Sequence, residues 1–391
     1  MAKRSKRHLP NVALLIETSR SFPRNVVRGV GDYARIHGKW LFYVPAQMPV
    51  RSLPPKDEWD GDGIIAQTHR DERFVKELAE CGVPVVSLTG PPGAGGLHSV
   101  RPNQDAVAEL AMNHFRDRGF TRFAYCGVPA DRVWPPTGEV FRRLAETAGH
   151  TCDLYLPAMD PGARTLRLAH LAEWLKSLVK PIGLLAASDG RAREVLDACR
   201  LANIHVPEEV AVLGVNDDEM ICEMANPPLS SVIHNARRVG YEAAAMLDRL
   251  MSGKKVVADI VVDPLGVRCR QSTDLLAIED PEIAKAVRFI REHACEGIRV
   301  DDVLDQVALS RRALEKRFRT AVGRPPHMEI RRAQLDRVKE LLVGSDFKLE
   351  KIAEVTGFSS AQYLAGLFHR VMKMTPGAWR AAGRAGAAPA R

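Results

Sequence analysis

The sequence predicts an α/β domain with parallel sheets covered by helices on both faces, followed by an all-α domain that carries a helix-turn-helix twice. Three observations predict it. From residue 11 to about 265, short apolar runs alternate with helical stretches, and near-continuous apolar strands alternating with helices belong to parallel sheets buried on both sides. Beyond residue 281 only helical periodicity remains. Within that helical region a short pattern recurs 50 residues further on.

The chain has 391 residues, too many for one core, so two or three domains are expected. No apolar run approaches a membrane span. The basic start "MAKRSKRHLP" is followed by an apolar run (12–16) too short for a secretory signal, so it reads as a tail before a buried strand in a cytoplasmic protein. Seven scattered cysteines show no metal spacing and read as reduced thiols; no metal or cofactor is expected. Residues 280–391 hold 21 Lys+Arg against 14 Asp+Glu, net +7, whereas the first 279 hold 35 and 34. The positive field belongs to the C-terminal region, which suggests a polyanion partner.

In chain order, "VALLIE" (12–17) predicts a strand and 24–38 a helix. Further strands are predicted over 40–46, 63–67, 83–88, 123–128, 182–188 and 210–216, and helices over 105–118 and 192–202. Residues 263–281, with "RQSTD" (270–274), lose this rhythm and read as a linker. Helices follow over 281–294, 300–306, 311–321, 327–343, 349–355 and 361–372. Ser310 is placed to cap one helix, and Ser360 aligns with it, as do Leu364 with Leu314 and Phe368 with Phe318. Each pair is 50 apart, and Gly357 supplies the permissive corner of the second unit. The pattern is a helix-turn-helix used twice, whose second helices suit the DNA major groove. Arg311, Arg312, Lys316, Ser360, Gln362 and His369 are the expected DNA-facing residues, with Arg312 and Gln362 reading bases. Val303, Leu314, Tyr363 and Phe368 are expected core.

Residues 280–380, above all "IAEVTGFSSAQYLAGLFHRVMKMTPGAWR" (352–380), resemble an AraC/XylS-type DNA-binding domain. Lys373 stands where that family commonly has Gly, and Leu364 where it has Phe. The N-terminal region resembles the periplasmic-binding-protein-like sensor of LacI-type repressors through "GVPVVSL" (82–88), "HFRDRGFTRFAYCG" (114–127), "VAVLGVNDDE" (210–219) and "PLSSV" (228–232). Sensor first and paired helix-turn-helix last resembles the xylose operon regulators. The resemblance implies a two-lobed, effector-sensing and dimerising domain over 8–275 and a DNA-binding domain over 280–380, and the low-complexity end "AAGRAGAAPAR" (381–391) reads as a disordered tail.

Ligands in parallel sheets bind beyond the carboxyl ends of the strands. Ser19, Arg20, Asn103, Trp134, Asp189, Asn216 and Asp217 sit there and are the expected ligand contacts, with Asp189 and Asn216 favoured over mere capping. Thr137 occupies the place of that family's ligand-clamping Arg, with Arg132 and Arg142 the nearby guanidiniums. "GPPGAGG" (90–96) lacks the Lys-Ser/Thr of a phosphate loop, and no nucleophile elbow or His-Glu metal motif occurs, so no enzyme is expected. The reading is a DNA-binding transcription regulator, an activator controlled by a pentose such as xylose, working as a homodimer with RNA polymerase. The alternative is a repressor whose sensor no longer binds a ligand and only dimerises.

Overall fold

The computed structural model describes residues 9–45, 52–55, 59–68, 71–89, 93–128, 137–157, 163–256, 259–274, 278, 280–345 and 347–384. The chain divides into two compact units, Met1–Leu275 and Leu276–Arg391.

In the first unit the elements are β1 (Asn11–Leu15), α1 (Ser21–His37), β2 (Leu41–Tyr43), β3 (Gly63–Ala66), α2 (Glu72–Ala79), β4 (Val85–Ser87), β5 (His98–Pro102), α3 (Gln104–Arg116), β6 (Arg122–Cys126), α4 (Thr137–Thr147), β7 (Thr151–Tyr155), α5 (Arg164–Ser177) and β8 (Ile182–Ala186). They continue with α6 (Asp189–Leu201), β9 (Val210–Val215), α7 (Glu219–Met224), β10 (Ser230–Ile233), α8 (Ala236–Met251), β11 (Ile260–Val262) and β12 (Gly266–Arg268). The strands form two sheets, β11-β5-β4-β3-β1-β2 and β12-β10-β9-β8-β6-β7, each the heart of one lobe. The described pairings are parallel except β10 with β12.

The apolar strands explain this arrangement. In β1 and the residue after it, Val12, Leu14 and Ile16 point to one face, where α1 and α8 cover them. Ala13 and Leu15 point to the other, against Phe74 and Leu78 of α2. The second sheet buries Leu184 and Val212 against Leu171 and Leu175 of α5 and Val195 of α6. Two glycines let α1 and α8 touch backbone to backbone: a Cβ on Gly29 would lie 2.0 Å from the Arg237 carbonyl oxygen, and one on Gly240 1.9 Å from that of Val26. Strands β5, β7, β10 and β12 are weakly apolar and β11 is only three residues long, so none of the five stands out in the periodicity.

The expected linker needs correcting. Its opening residues form β12 and a buried 3-10 turn, Gln271–Thr273. Ser272 donates to the Val212 carbonyl (2.6 Å) and accepts from the Ser230 amide (2.8 Å), and Thr273 meets His114 (2.8 Å). These short polar side chains read as solvated linker, yet they satisfy buried polar groups of the second lobe.

In the second unit α9 (Pro281–His293), α10 (Val300–Leu304), α11 (Arg311–Val322), α12 (Pro326–Gly344), α13 (Leu349–Val355), α14 (Ala361–Met372) and α15 (Pro376–Arg384) make an all-α fold with at least one helix-turn-helix. Leu314 and Phe318 of α11, and Leu364 and Phe368 of α14, are fully buried. Leu335, Val338 and Leu342 of α12 pack with the latter pair. Glu329 of α12, fully buried, is paired with Arg324 (2.8 Å) and Arg332 (2.7 Å). The expected tail from 381 also needs correcting: α15 continues to Arg384, while 385–391 lie outside the described residues.

Candidate functional site

Two places hold the residues singled out from the sequence. The first is the cleft between the two lobes of the sheet unit. Beyond β9 the chain turns sharply, with Asn216 at φ 108° and Asp217 at φ 53°, a conformation that side chains other than glycine adopt only when surroundings enforce it. The enforcement is visible. The amide of Asn216 donates to the Val232 carbonyl (3.0 Å), that of Asp217 to the Ser231 hydroxyl (3.0 Å) and that of Asp218 to the Asp189 carboxylate (2.7 Å). Asp189 also accepts from the Ser231 hydroxyl (2.5 Å). Burial pushes its carboxyl up to about 7, against the lowering effect of those hydrogen bonds. The Asp217 carboxylate lies 2.7 Å from Arg268 and 2.9 Å from Arg270.

This loop walls a cleft of about 740 Å³ whose opposite side is the first two turns of α1. Asn216 and Asp217 line it. Ser19 and Arg20 are exposed at the end of β1, where the Ser19 hydroxyl donates to Glu17 (2.7 Å). Asn103 caps α3 by accepting from the Ala106 amide (3.1 Å), and donates to Asp263 (2.7 Å). Asp189 is buried beneath the loop, with one carboxylate oxygen engaged by the Asp218 amide of the loop and the other by the Ser231 hydroxyl of β10. Trp134 and Arg132 lie outside the described residues. Arg142 is on the outer surface of α4, paired with Glu139 (2.9 Å) and Glu146 (2.8 Å). Thr137 is buried and donates to Gln104 (3.0 Å).

Sequence reasoning missed Ser21, Phe22, Asp218 and His234, all of which line the cleft. The Ser21 hydroxyl and His234 Nδ1 are buried without a hydrogen-bond partner among the described residues. Burial lowers the His234 pKa to about 4, so the imidazole is neutral at pH 7. Its ring meets Phe22 edge-on, 5.4 Å between centroids. "SRSFPRN" (19–25) offered a signal, since α1 begins three residues before the expected helix start and carries these side chains into the cleft.

The second place is the basic helical unit. Ser310 accepts from the Ala313 amide (3.3 Å) and Ser360 from the Tyr363 amide (3.2 Å), so both serines cap their helices. Arg312, Lys316, Gln362 and His369 are exposed. Arg311 is exposed but paired with Asp301 (2.5 Å). Val303, Leu314 and Phe368 are buried as expected, whereas Tyr363 is 47% exposed and is not core. Three residues into α14, it faces Arg331 of α12 instead, whose guanidinium lies 5.3 Å from its ring centre.

Three family models match: a XylR N-terminal domain over residues 11–94, a periplasmic binding protein-like domain over 112–273 and a helix-turn-helix domain over 303–382. The xylose operon regulatory protein of Escherichia coli (strain K12) is 33% identical over 391 residues, covering 96% of this chain and 97% of that protein. The chain belongs to the xylose operon regulatory protein family. Its Haemophilus influenzae relative is 31% identical over 379 residues, covering 94% and 97%. A solved structure described as the xylose-binding transcription activator xylR aligns with a TM-score of 0.80 at 31% identity, over 96% of this chain and 98% of that one. The family is one of DNA-binding transcription regulators, and this chain is such a regulator. One expectation is overturned: the DNA-binding region matches as a helix-turn-helix domain of this XylR-related, LacI-like lineage, not as an AraC/XylS-type domain, so "AraC family" is not its class.

Proposed function

We propose that the chain is a xylose-responsive transcription activator whose sugar binds in the interlobe cleft. The observation that carries this reading is that Ser21 and His234, whose Oγ and Nδ1 are buried without a hydrogen-bond partner among the described residues, line one cleft together with Asn216. A pentose offers adjacent hydroxyls to such groups and a C–H face to the Phe22 ring. Likeness over nearly the whole length to a protein described as xylose-binding supports the ligand class. Asn216 is the predicted contact retained with most support. Asp189 and Asp217 act by holding its loop, and Asn103 by tying two crossings between the lobes.

In this reading residues 8–275 sense and dimerise, and 280–380 bind double-stranded DNA. The pair α13–α14 is a second helix-turn-helix beside α10–α11. Arg311, Arg312, Lys316, Ser360, Gln362 and His369 face DNA. The regulator works in the cytoplasm as a homodimer that recruits RNA polymerase. Sugar regulates because it favours one arrangement of the lobes over another.

The test is a thermal-shift series of the full chain against D-xylose, other pentoses and hexoses. A ligand of the native state raises the melting temperature in a concentration-dependent way. D-xylose is expected to do so and hexoses to do so less. A flat panel would favour a sensor that only dimerises.

A further inference from the structure

We propose that Gln334 is the positioning residue that fixes the spacing of the two recognition helices, α11 and α14. The inference rests on reading α13–α14 as a second DNA-reading unit. Gln334 lies on α12 and is 1% exposed. Its amide nitrogen donates to the Ala294 carbonyl (2.9 Å) and the Gly357 carbonyl (3.3 Å), and its oxygen accepts from Arg331 (2.8 Å). Ala294 opens the 3-10 turn that follows α9, and Gly357 is the corner between α13 and α14. One buried amide thus joins the two halves of the unit.

The halves meet at backbone distance. A Cβ on Gly357, which sits at φ +71°, would lie 2.6 Å from the Gly297 nitrogen and 2.9 Å from the Cys295 carbonyl oxygen. From this joint the brace runs both ways. Arg331 continues it to Phe358 and Tyr363, 5.5 and 5.3 Å from the ring centres, at the start of α14. On the other side α9 holds α11: Asp280 accepts from the Nε and one Nη of Arg317 at 2.6 Å, and Glu282 accepts from the Ala308 amide at 2.6 Å. A buried amide is costly unless satisfied, and only a group that both donates and accepts satisfies these three partners. Leucine would fill the space without joining anything.

Two helices reading successive major-groove segments, about 34 Å apart, add their affinities only when their spacing matches the DNA. A stiff joint makes that match strict, and a loosened joint relaxes it.

The test begins by selecting a site for the full chain from random double-stranded DNA and footprinting it. Affinities are then measured for that site and for one with a single base pair inserted between the two contacted segments. The wild-type chain is expected to lose about tenfold or more on insertion. For Gln334→Leu the loss is expected to fall to about threefold or less, although the parent site is bound more weakly. Arg331→Met, which cuts one arm of the brace at a half-buried position, is expected to fall between the two and serves if Gln334→Leu does not fold. An unchanged insertion ratio in the folded variants overturns the proposal, however much overall affinity drops. A wild-type footprint confined to one groove segment overturns the second recognition unit itself, and the positioning role with it.

Discussion

The carboxylate of Asp218 accepts a hydrogen bond from the backbone amide of Ser21 at 3.0 Å, so the loop beyond β9 in one lobe caps the first turn of α1 in the other. Arg20 at the N-cap makes no side-chain cap and the first turn of α1 carries no acidic residue. One free amide, that of Ser21, and the positive end of that helix are therefore served from across the cleft. Losing a carboxylate cap of this kind costs about 1 kcal/mol. Asp218→Ala should weaken the closed arrangement by that amount, seen as about fivefold weaker sugar binding in calorimetry. Sugar affinity equal to wild type would remove this link between closure and the cap.

Asp189 makes stability fall with rising pH. Its folded carboxyl titrates near 7, above the ordinary 3.8, because burial disfavours the charge. Its contribution is fully present below about pH 4 and is lost as pH rises through 7. Melting temperatures at pH 5 and pH 8 should therefore differ less in Asp189→Asn than in the wild type, where Asn still bonds Asp218 and Ser231. An equal difference in both would place the pH sensitivity elsewhere.

The close crossing of α1 and α8 predicts intolerance of a single methyl group. Gly240→Ala would force a Cβ to within 1.9 Å of the Val26 carbonyl oxygen. Overpacking of this kind costs about 1–3 kcal/mol, to be read as a lower urea midpoint. Gly31, with only the flexible Arg35 side chain near its Cβ, should accept alanine without loss.

Helices α11 and α14 end alike, at Gly323 (φ 76°) and, 50 residues later, Lys373 (φ 56°). A lysine in the left-handed region is strained by about 1 kcal/mol relative to glycine. Lys373→Gly should raise the melting temperature of the helical unit, and a fall would contradict the strained cap.

Arg312 is exposed at the second residue of α11. If it reads a base, Arg312→Ala should cost about 1–3 kcal/mol of DNA binding and relax specificity at one position. A uniform loss across sequences, with a shallower salt dependence, would make it a phosphate contact instead.

The helical unit was legible in the sequence because repetition removes ambiguity. Ser310 with Ser360 and Phe318 with Phe368 marked caps and cores twice, and α13 and α14 span 349–355 and 361–372 as expected. Tyr363 reads as core because it sits beside Leu364, whereas it is exposed and its ring meets Arg331 from another helix, a contact no local pattern shows. The strongly apolar strands of the sheet unit were equally plain, and β12 was not, since its partner and the buried Ser272 and Thr273 are tertiary facts. The cleft was legible only as a set of strand ends. Asn216 was found because it follows β9, whereas His234 was passed over as one scattered histidine among 12. Which face a lone polar residue presents depends on how two lobes close, and no local pattern carries that.

In the proposed function, sugar in the cleft changes DNA binding. The direct measurement is fluorescence anisotropy of the full chain on its selected DNA site at fixed salt, with and without saturating D-xylose. Xylose is expected to tighten binding by about tenfold, a coupling of about 1.4 kcal/mol, and His234→Ala to abolish the difference. The same affinity at every xylose concentration would contradict it.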